Sequence, residues 1–153
     1  MAQNWWKVNR FEIALVDQGI GVLGSIQRQH HVRIAEKAIK LALMPGASGK
    51  EMDHGNNKWG NTGFGLYILS ELGKQFGSFS IFSSGVMLQF IKKKILWTDI
   101  HTVAGTGIKL MIDLNKIDAE YFPNIREQIV QKGEKIAREY FGVDRKASGK
   151  SRS

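Results

Sequence analysis

The spacing of hydrophobic and polar residues changes several times along the chain, and each spacing predicts a strand, a helix or a loop. Apolar and polar residues alternate over Arg10 to Asp17, which predicts a strand. From Leu23 to Leu43 apolar residues recur at helical spacing, with Ser25 as the cap, and predict one helix. Residues 45–63 are rich in glycine, asparagine and serine, and they predict a long loop.

The second half of the chain shows the same two periods in a different order. Apolar residues at three- and four-residue steps predict a helix from Phe64 to Phe76. Short alternating or fully apolar runs predict three strands, at Ser78–Ser84, Val86–Ile91 and Gly107–Leu114. A last helix is predicted over about Ala119 to Phe141, with Gly133 as its weak point.

Length and composition limit the class of protein. The chain has 153 residues, of which 42% are apolar and 24% charged, so we expect one globular domain over residues 1–141 and a basic tail over 142–153. It has no cysteine, which excludes disulfides and thiolate zinc sites. No apolar run reaches the roughly 18 residues of a membrane span, and we expect a cytoplasmic protein without a signal peptide.

The net charge of +8 raises the question of a nucleic-acid partner. The excess positive charge is scattered, with one group at Lys92, Lys93 and Lys94 on a strand end or hairpin and another in the tail "GVDRKASGKSRS". No aromatic residues are interleaved with these charges, so a solvated surface is favoured over nucleic-acid binding. An interaction or nucleic-acid-binding module that uses the tail and these lysines stays open as the alternative function.

Three glycines after the first predicted strand raise the question of whether they form the phosphate turn of a dinucleotide-binding fold. Gly19, Gly21 and Gly24 form a G-x-G-x-x-G pattern. A dinucleotide-binding fold needs a second parallel strand ending in an acid about 20 residues further on. In this chain a helix and a long loop follow, and no strand is predicted before Gly73. The dinucleotide interpretation is therefore rejected.

The remaining motif, "DQGIG", suits a nucleotide base. A carboxylate at a strand end accepts a hydrogen bond from an exocyclic amine such as that of adenine, and glycine lets the backbone approach a flat ring. Further on, "GNTGFGLYILSEL" puts glycines immediately before a helix, where free N–H groups and the helix dipole favour phosphate.

These segments resemble the histidine-kinase-like ATPases, the superfamily with the Bergerat ATP-binding fold. "ALVDQGIGV" is similar to the D-x-G-x-G box, "NTGFGLYIL" to the G-x-G-L box, and "AGTGIKLMI" to the late Gly-Thr strand, in the family's order and over roughly residues 10 to 115. A glycine-rich lid separates the first two boxes. We therefore expect an α+β fold, a two-layer sandwich with helices on one face of a mixed, largely antiparallel sheet.

The resemblance also implies roles for individual residues. Asp17 would bind the adenine amine, and Thr106 would close the adenine side directly or through water. The segment before the second helix would hold the phosphates. The residues implied to bind ATP are Asp17, Gly19, Gly21, Asn61, Thr62, Gly63, Phe64, Gly65, Leu66 and Thr106.

One part of the family pattern is missing from the sequence. The N-box, an asparagine on an upstream helix that binds Mg²⁺, has no counterpart in the residues before Asp17, since Asn4 and Asn9 lie too close to the strand. Either the chain is a piece of a longer protein, or a partner domain supplies that helix, or the site is degenerate. We expect ATP with Mg²⁺ as cofactors, no protein ligand to the metal in this chain, and no turnover by this chain alone.

Overall fold

The computed structural model describes residues 1–49, 62–101, 104–118, 120–142 and 147. Six strands form one sheet in the order β1-β2-β6-β3-β4-β5, and every pairing among them is antiparallel. The strands are β1 Ala2–Trp5, β2 Arg10–Asp17, β3 Gly77–Ser83, β4 Val86–Ile91, β5 Lys94–Asp99 and β6 Thr106–Asp113.

Four α-helices accompany the sheet in the described ranges. They are α1 Gly21–Ile26, α2 Ala35–Ala42, α3 Gly65–Phe76 and α4 Phe122–Phe141, and short 3₁₀ helices lie at Trp6–Val8 and Leu114–Lys116. None of these helices combines the length and the apolar character that crossing a membrane requires.

The main core lies between one face of the sheet and helices α1, α2 and α3. Its largest fully buried side chains are Phe79 and Ile81 of β3 and Ile39 of α2, each at most 1% exposed. A smaller core, in which Phe64 and Tyr67 meet Ile129, joins α3 to α4. The predicted α+β sandwich is confirmed, with the refinement that none of the described strand pairs is parallel.

The structure adds two strands that the hydrophobic pattern did not predict. All of β1 is exposed, so no alternation in burial marks it, and it joins the sheet through backbone pairing with β2. Strand β5 is mostly exposed and follows the lysines of the β4–β5 turn directly. The strands predicted at Arg10–Asp17 and Val86–Ile91 coincide with β2 and β4.

The single helix predicted from Leu23 to Leu43 is wrong. The structure has two short helices, α1 and α2, separated by an irregular segment over residues 27–34. Residues 27–29 are polar and exposed, so a helix there would bury nothing. Ser25 lies inside α1 and is not its cap.

The register of the central strands decides which residues meet at one end of the sheet. Asp17, the last residue of β2, pairs with Thr106 at the start of β6, and Thr106 also pairs with Ser83 at the end of β3. The ends of three neighbouring strands, β2, β6 and β3, therefore bring Asp17, Thr106 and Ser83 together, close to the start of α1.

Candidate functional site

A cleft of about 740 Å³ lies at this end of the central strands. Its walls are the ends of β2 and β6, helix α1, residues 47–49, and the start of α3. This volume is within the range of pockets that hold cofactors and other small molecules. The sequence-predicted site residues that line the cleft are Asp17, Gly19, Gly21, Gly63, Gly65, Leu66 and Thr106.

Asp17 is exposed and fixed by its own turn. The Gly19 N–H donates to Asp17 Oδ1 at 2.7 Å, so that this oxygen shapes the turn. Asp17 Oδ2 makes no hydrogen bond with the described residues, and Asp17 is the one acidic residue among those that line the cleft. The carboxylate is thus held in place with one oxygen available to a ligand.

Ser83 joins the turn after β2 to the start of β6, and the sequence analysis did not single it out. The Val22 N–H donates to Ser83 Oγ at 2.9 Å, and Ser83 Oγ–H donates to the Gly105 carbonyl oxygen at 2.9 Å. Ser83 is only 1% exposed, and its Oγ lies 3.5 Å from Thr106 Oγ1. One buried hydroxyl therefore holds together two of the three motifs.

Gly63 forms the joint between the segment after α2 and the start of α3. Its φ of 72° is left-handed, and a Cβ added there would overlap the Ala47 carbonyl oxygen. The Gly46 N–H also donates to the Gly63 carbonyl oxygen at 3.2 Å. Residues 45–49, the beginning of the predicted long loop, are buried in this packing. Residues 50–61, the middle of that loop, lie outside the described residues.

The start of α3 faces the cleft without a carboxylate of its own. The N-cap residue, Phe64, makes no side-chain cap, and the first turn contains no acidic residue. The N–H groups of that turn and the positive end of the helix dipole favour a bound anion.

Arg28 is the one basic residue in the described lining of the cleft, and it was not among the predicted site residues. It follows α1, whose six residues span ~9 Å, while Asp17 precedes that helix. These two described charges therefore lie on opposite sides of α1 along the chain. Ser25 and Ser48 also line the cleft. No local pattern in the sequence distinguishes Arg28 from an ordinary surface arginine.

Two predicted phosphate-binding residues do not line the cleft. Phe64 is 1% exposed and packs in the smaller core against α4. Thr62 turns its hydroxyl toward the tail, where Thr62 Oγ1 donates to the Ala147 carbonyl oxygen at 3.2 Å. Asn61 lies outside the described residues.

Helix α4 supports α3 from behind the cleft. Lys74 and Lys132 contact the two carboxylate oxygens of Glu71 at 2.7 and 3.1 Å. Burial alone would raise the pKa of Glu71, but these two ammonium groups outweigh it and the pKa lies below its ordinary value. Burial, with a smaller contribution from Glu71, raises the pKa of Tyr67 to about 12.

Within the described ranges, no group of three or more His, Cys, Asp or Glu side chains forms a metal-binding cluster. The described lining of the cleft combines a carboxylate, a guanidinium, hydroxyls and the start of α3. These groups suit an organic anion that carries a hydrogen-bond donor at one end.

No protein-family model and no curated protein matches the chain. Two similar solved structures are of the ATPase region of Saccharomyces cerevisiae topoisomerase II. The one bound to ICRF-187 (dexrazoxane) is 14% identical, with a TM-score of 0.38 over 83% of this chain and 36% of that chain. The other is 12% identical, with a TM-score of 0.33 over 84% and 36%. The chain spans about a third of their length, and a likeness at this level carries no functional assignment.

Proposed function

We propose that this chain is an adenine-nucleotide-binding domain of the histidine-kinase-like ATPase type, with ATP in the cleft between α1 and α3. The observation that carries the proposal is that Asp17 and the glycines at the start of α3, Gly63 and Gly65, line one cleft although they are distant in sequence. A chance D-x-G-x-G turn has no reason to share a cavity with an uncapped helix start.

The base would lie at the Asp17 end of the cleft. Asp17 Oδ2 would accept the adenine amine, and Thr106, its register partner, would close that side. Ile20, Val22 and Ile108 line the same cleft and supply apolar surface for a flat ring.

The phosphates would lie at the opposite end. The N–H groups at the start of α3 would bind phosphate oxygens, and Arg28 would neutralise their charge. The cleft thus offers an acceptor for the amine, an apolar wall for the ring, and a helix start with an arginine for the phosphates.

Mg²⁺ would enter with the nucleotide and supply charge neutralisation to the phosphates. Its protein ligand would come from a partner segment that packs beside β2. Leu15 supports this proposal, since it is 52% exposed although its register partner Ile108 packs on the core. An apolar side chain on the helix-bearing face is thus left partly uncovered next to the cleft.

The test of the base end is Asp17→Asn with a fluorescent ATP analogue. We expect affinity to fall about 10- to 100-fold, because the carboxylate acceptor of a charge-assisted hydrogen bond is lost. Asp113→Asn is the matched control, since Asp113 Oδ1 accepts from Asn115 N at 3.2 Å at the other end of the β2–β6 pair. Unchanged affinity in Asp17→Asn, or an equal loss in the control, would overturn the assignment.

The test of the phosphate end is Arg28→Gln, assayed with both ATP and adenosine. We expect ATP affinity to fall about tenfold with adenosine affinity unchanged, because only ATP carries the charge that Arg28 neutralises. Arg33→Gln removes an exposed arginine that does not line the cleft and serves as the control. Equal losses for ATP and adenosine would show that Arg28 does not contact phosphates.

A further inference from the structure

A second cavity, the basic pocket, has a volume of about 370 Å³ and lies at the other end of α3. Its lining residues are Lys74, Gly77, Phe90, Lys92, Lys93, Lys94 and Ile95. Helix α3 has twelve residues, so its two ends are ~18 Å apart, and the pocket shares no lining residue with the nucleotide cleft.

The charges of the basic pocket are poorly compensated. Lys74 is paired with Glu71, which it shares with Lys132. Lys92, Lys93 and Lys94 have no carboxylate within 4.0 Å in the described part of the chain, and the described lining of the pocket contains no acidic side chain. Like charges gathered around one cavity repel one another until an anion neutralises them.

The β4–β5 turn holds two lysines in a backbone conformation that is unfavourable for residues with a side chain. Ile91 pairs with Lys94, so the turn has two residues, and Lys92 and Lys93 have φ of 49° and 64°. Such turns favour Asn-Gly, because both residues must be left-handed. Lysines at a sheet edge also deter strand pairing, but that role does not require a cavity beside them.

We propose that the basic pocket binds a small molecule with two or more phosphate groups. Lys92, Lys93 and Lys94 would contact the phosphate oxygens, and Phe90 and Ile95 would form the apolar floor. A single-stranded nucleic acid is less suited to the pocket, because Phe90 is 9% exposed and Lys74 Nζ lies 4.4 Å from its ring centre. The ring therefore offers no open face on which a base stacks.

The experiment titrates inorganic tripolyphosphate into the isotope-labelled chain and follows the backbone amides by NMR. We expect saturable shifts at residues 92–95 at millimolar concentration or below. The Lys92→Gln/Lys93→Gln double variant should weaken that binding at least tenfold. Shifts at Gly63 and Gly65 report the nucleotide cleft separately, so failure of one site is distinguishable from failure of the other.

The Lys37→Gln/Lys135→Gln variant removes the same charge from exposed positions outside the pocket, and it should bind within twofold of the unmodified chain. An equal loss in this control would overturn the proposal in favour of diffuse charge. Absence of saturable shifts at residues 92–95 would also overturn it. So would tight binding of a single-stranded oligonucleotide at these amides without binding of tripolyphosphate.

Discussion

Ser83→Ala tests whether one buried hydroxyl assembles the candidate nucleotide cleft. The substitution removes the acceptor of the Val22 N–H and the donor to the Gly105 carbonyl oxygen. Both residues are buried, so neither group gains a water molecule easily. An orphaned buried group costs ~1–3 kcal/mol, and two of them predict a loss of about 2–6 kcal/mol in the free energy of unfolding.

The matched control is Ser70→Ala. Ser70 is 0% exposed, but its Oγ donates at 2.8 Å to the carbonyl oxygen of Tyr67, within the same helix. That carbonyl lies where the helix ladder supplies a second donor, and alanine is the better helix former. We therefore expect Ser70→Ala to cost less than about 1 kcal/mol.

The assay is urea unfolding followed by tryptophan fluorescence, combined with titration of a fluorescent ATP analogue under conditions where each variant is folded. Ser83→Ala should lower the urea midpoint and should also weaken analogue binding at least fivefold, because the turn that holds Asp17 loses its anchor. If Ser83→Ala costs no more than Ser70→Ala, the hydroxyl does not hold the motifs together, and the account of the cleft is wrong.

Three further variants test the contact between α3 and α4. Tyr67→Phe should raise the free energy of unfolding by about 1 kcal/mol, because the buried hydroxyl has no hydrogen-bond partner among the described residues. The raised Tyr67 pKa means that the folded state keeps its proton longer, so stability should fall from pH 10 to about 12, and Tyr67→Phe should abolish that fall in urea titrations. Gly133→Ala should destabilise the protein by about 1–3 kcal/mol despite the better helix propensity, because the new Cβ would lie 2.5 Å from Tyr67 Cε1; a higher melting temperature would contradict this packing. The lowered Glu71 pKa adds stability that is present above pH 4.5 and is lost as the pH falls through the folded-state value. Glu71→Gln should therefore reduce the loss of unfolding free energy at acidic pH, measured by urea unfolding. Lys135→Gln, which removes one charge elsewhere, is the control.

The sequence predicted the elements whose periodicity is imposed by one buried face. Strand β4 alternates with Leu88 and Phe90 buried, and its bounds were predicted correctly. Helix α3 was predicted to within one residue, because its apolar residues face the core at three- and four-residue steps. Burial leaves a local signature in the sequence, and pattern analysis recovers it.

The sequence did not reveal residues whose role depends on distant partners. Ser83 and Val22 are 61 positions apart, and only the β3–β6 register brings Ser83 to the turn after β2. Arg28 lines the cleft because the chain leaves its helical path after α1, where a continuous helix was predicted. Strand β1 has no buried face at all and is specified by backbone pairing.

Helix α3 connects the two proposed sites, and its packing predicts how far they influence one another. Its start lines the nucleotide cleft and Lys74, in its last turn, lines the basic pocket. Between them, Leu66, Leu69, Leu72 and Phe76 pack along the main core. A helix seated on a close-packed core along its whole length does not slide in small steps.

We therefore expect the two sites to be independent. Tripolyphosphate bound at residues 92–95 should change the affinity of the cleft for adenosine by less than twofold, and adenosine should change tripolyphosphate affinity equally little, because binding linkage is reciprocal. Adenosine is the correct probe, since it carries no phosphate that competes for the basic pocket. A coupling of tenfold or more, measured by titrating each ligand in the presence of the other and lost in the Lys92→Gln/Lys93→Gln variant, would require α3 to have two positions on the sheet. It would refute the rigid attachment inferred from its packing.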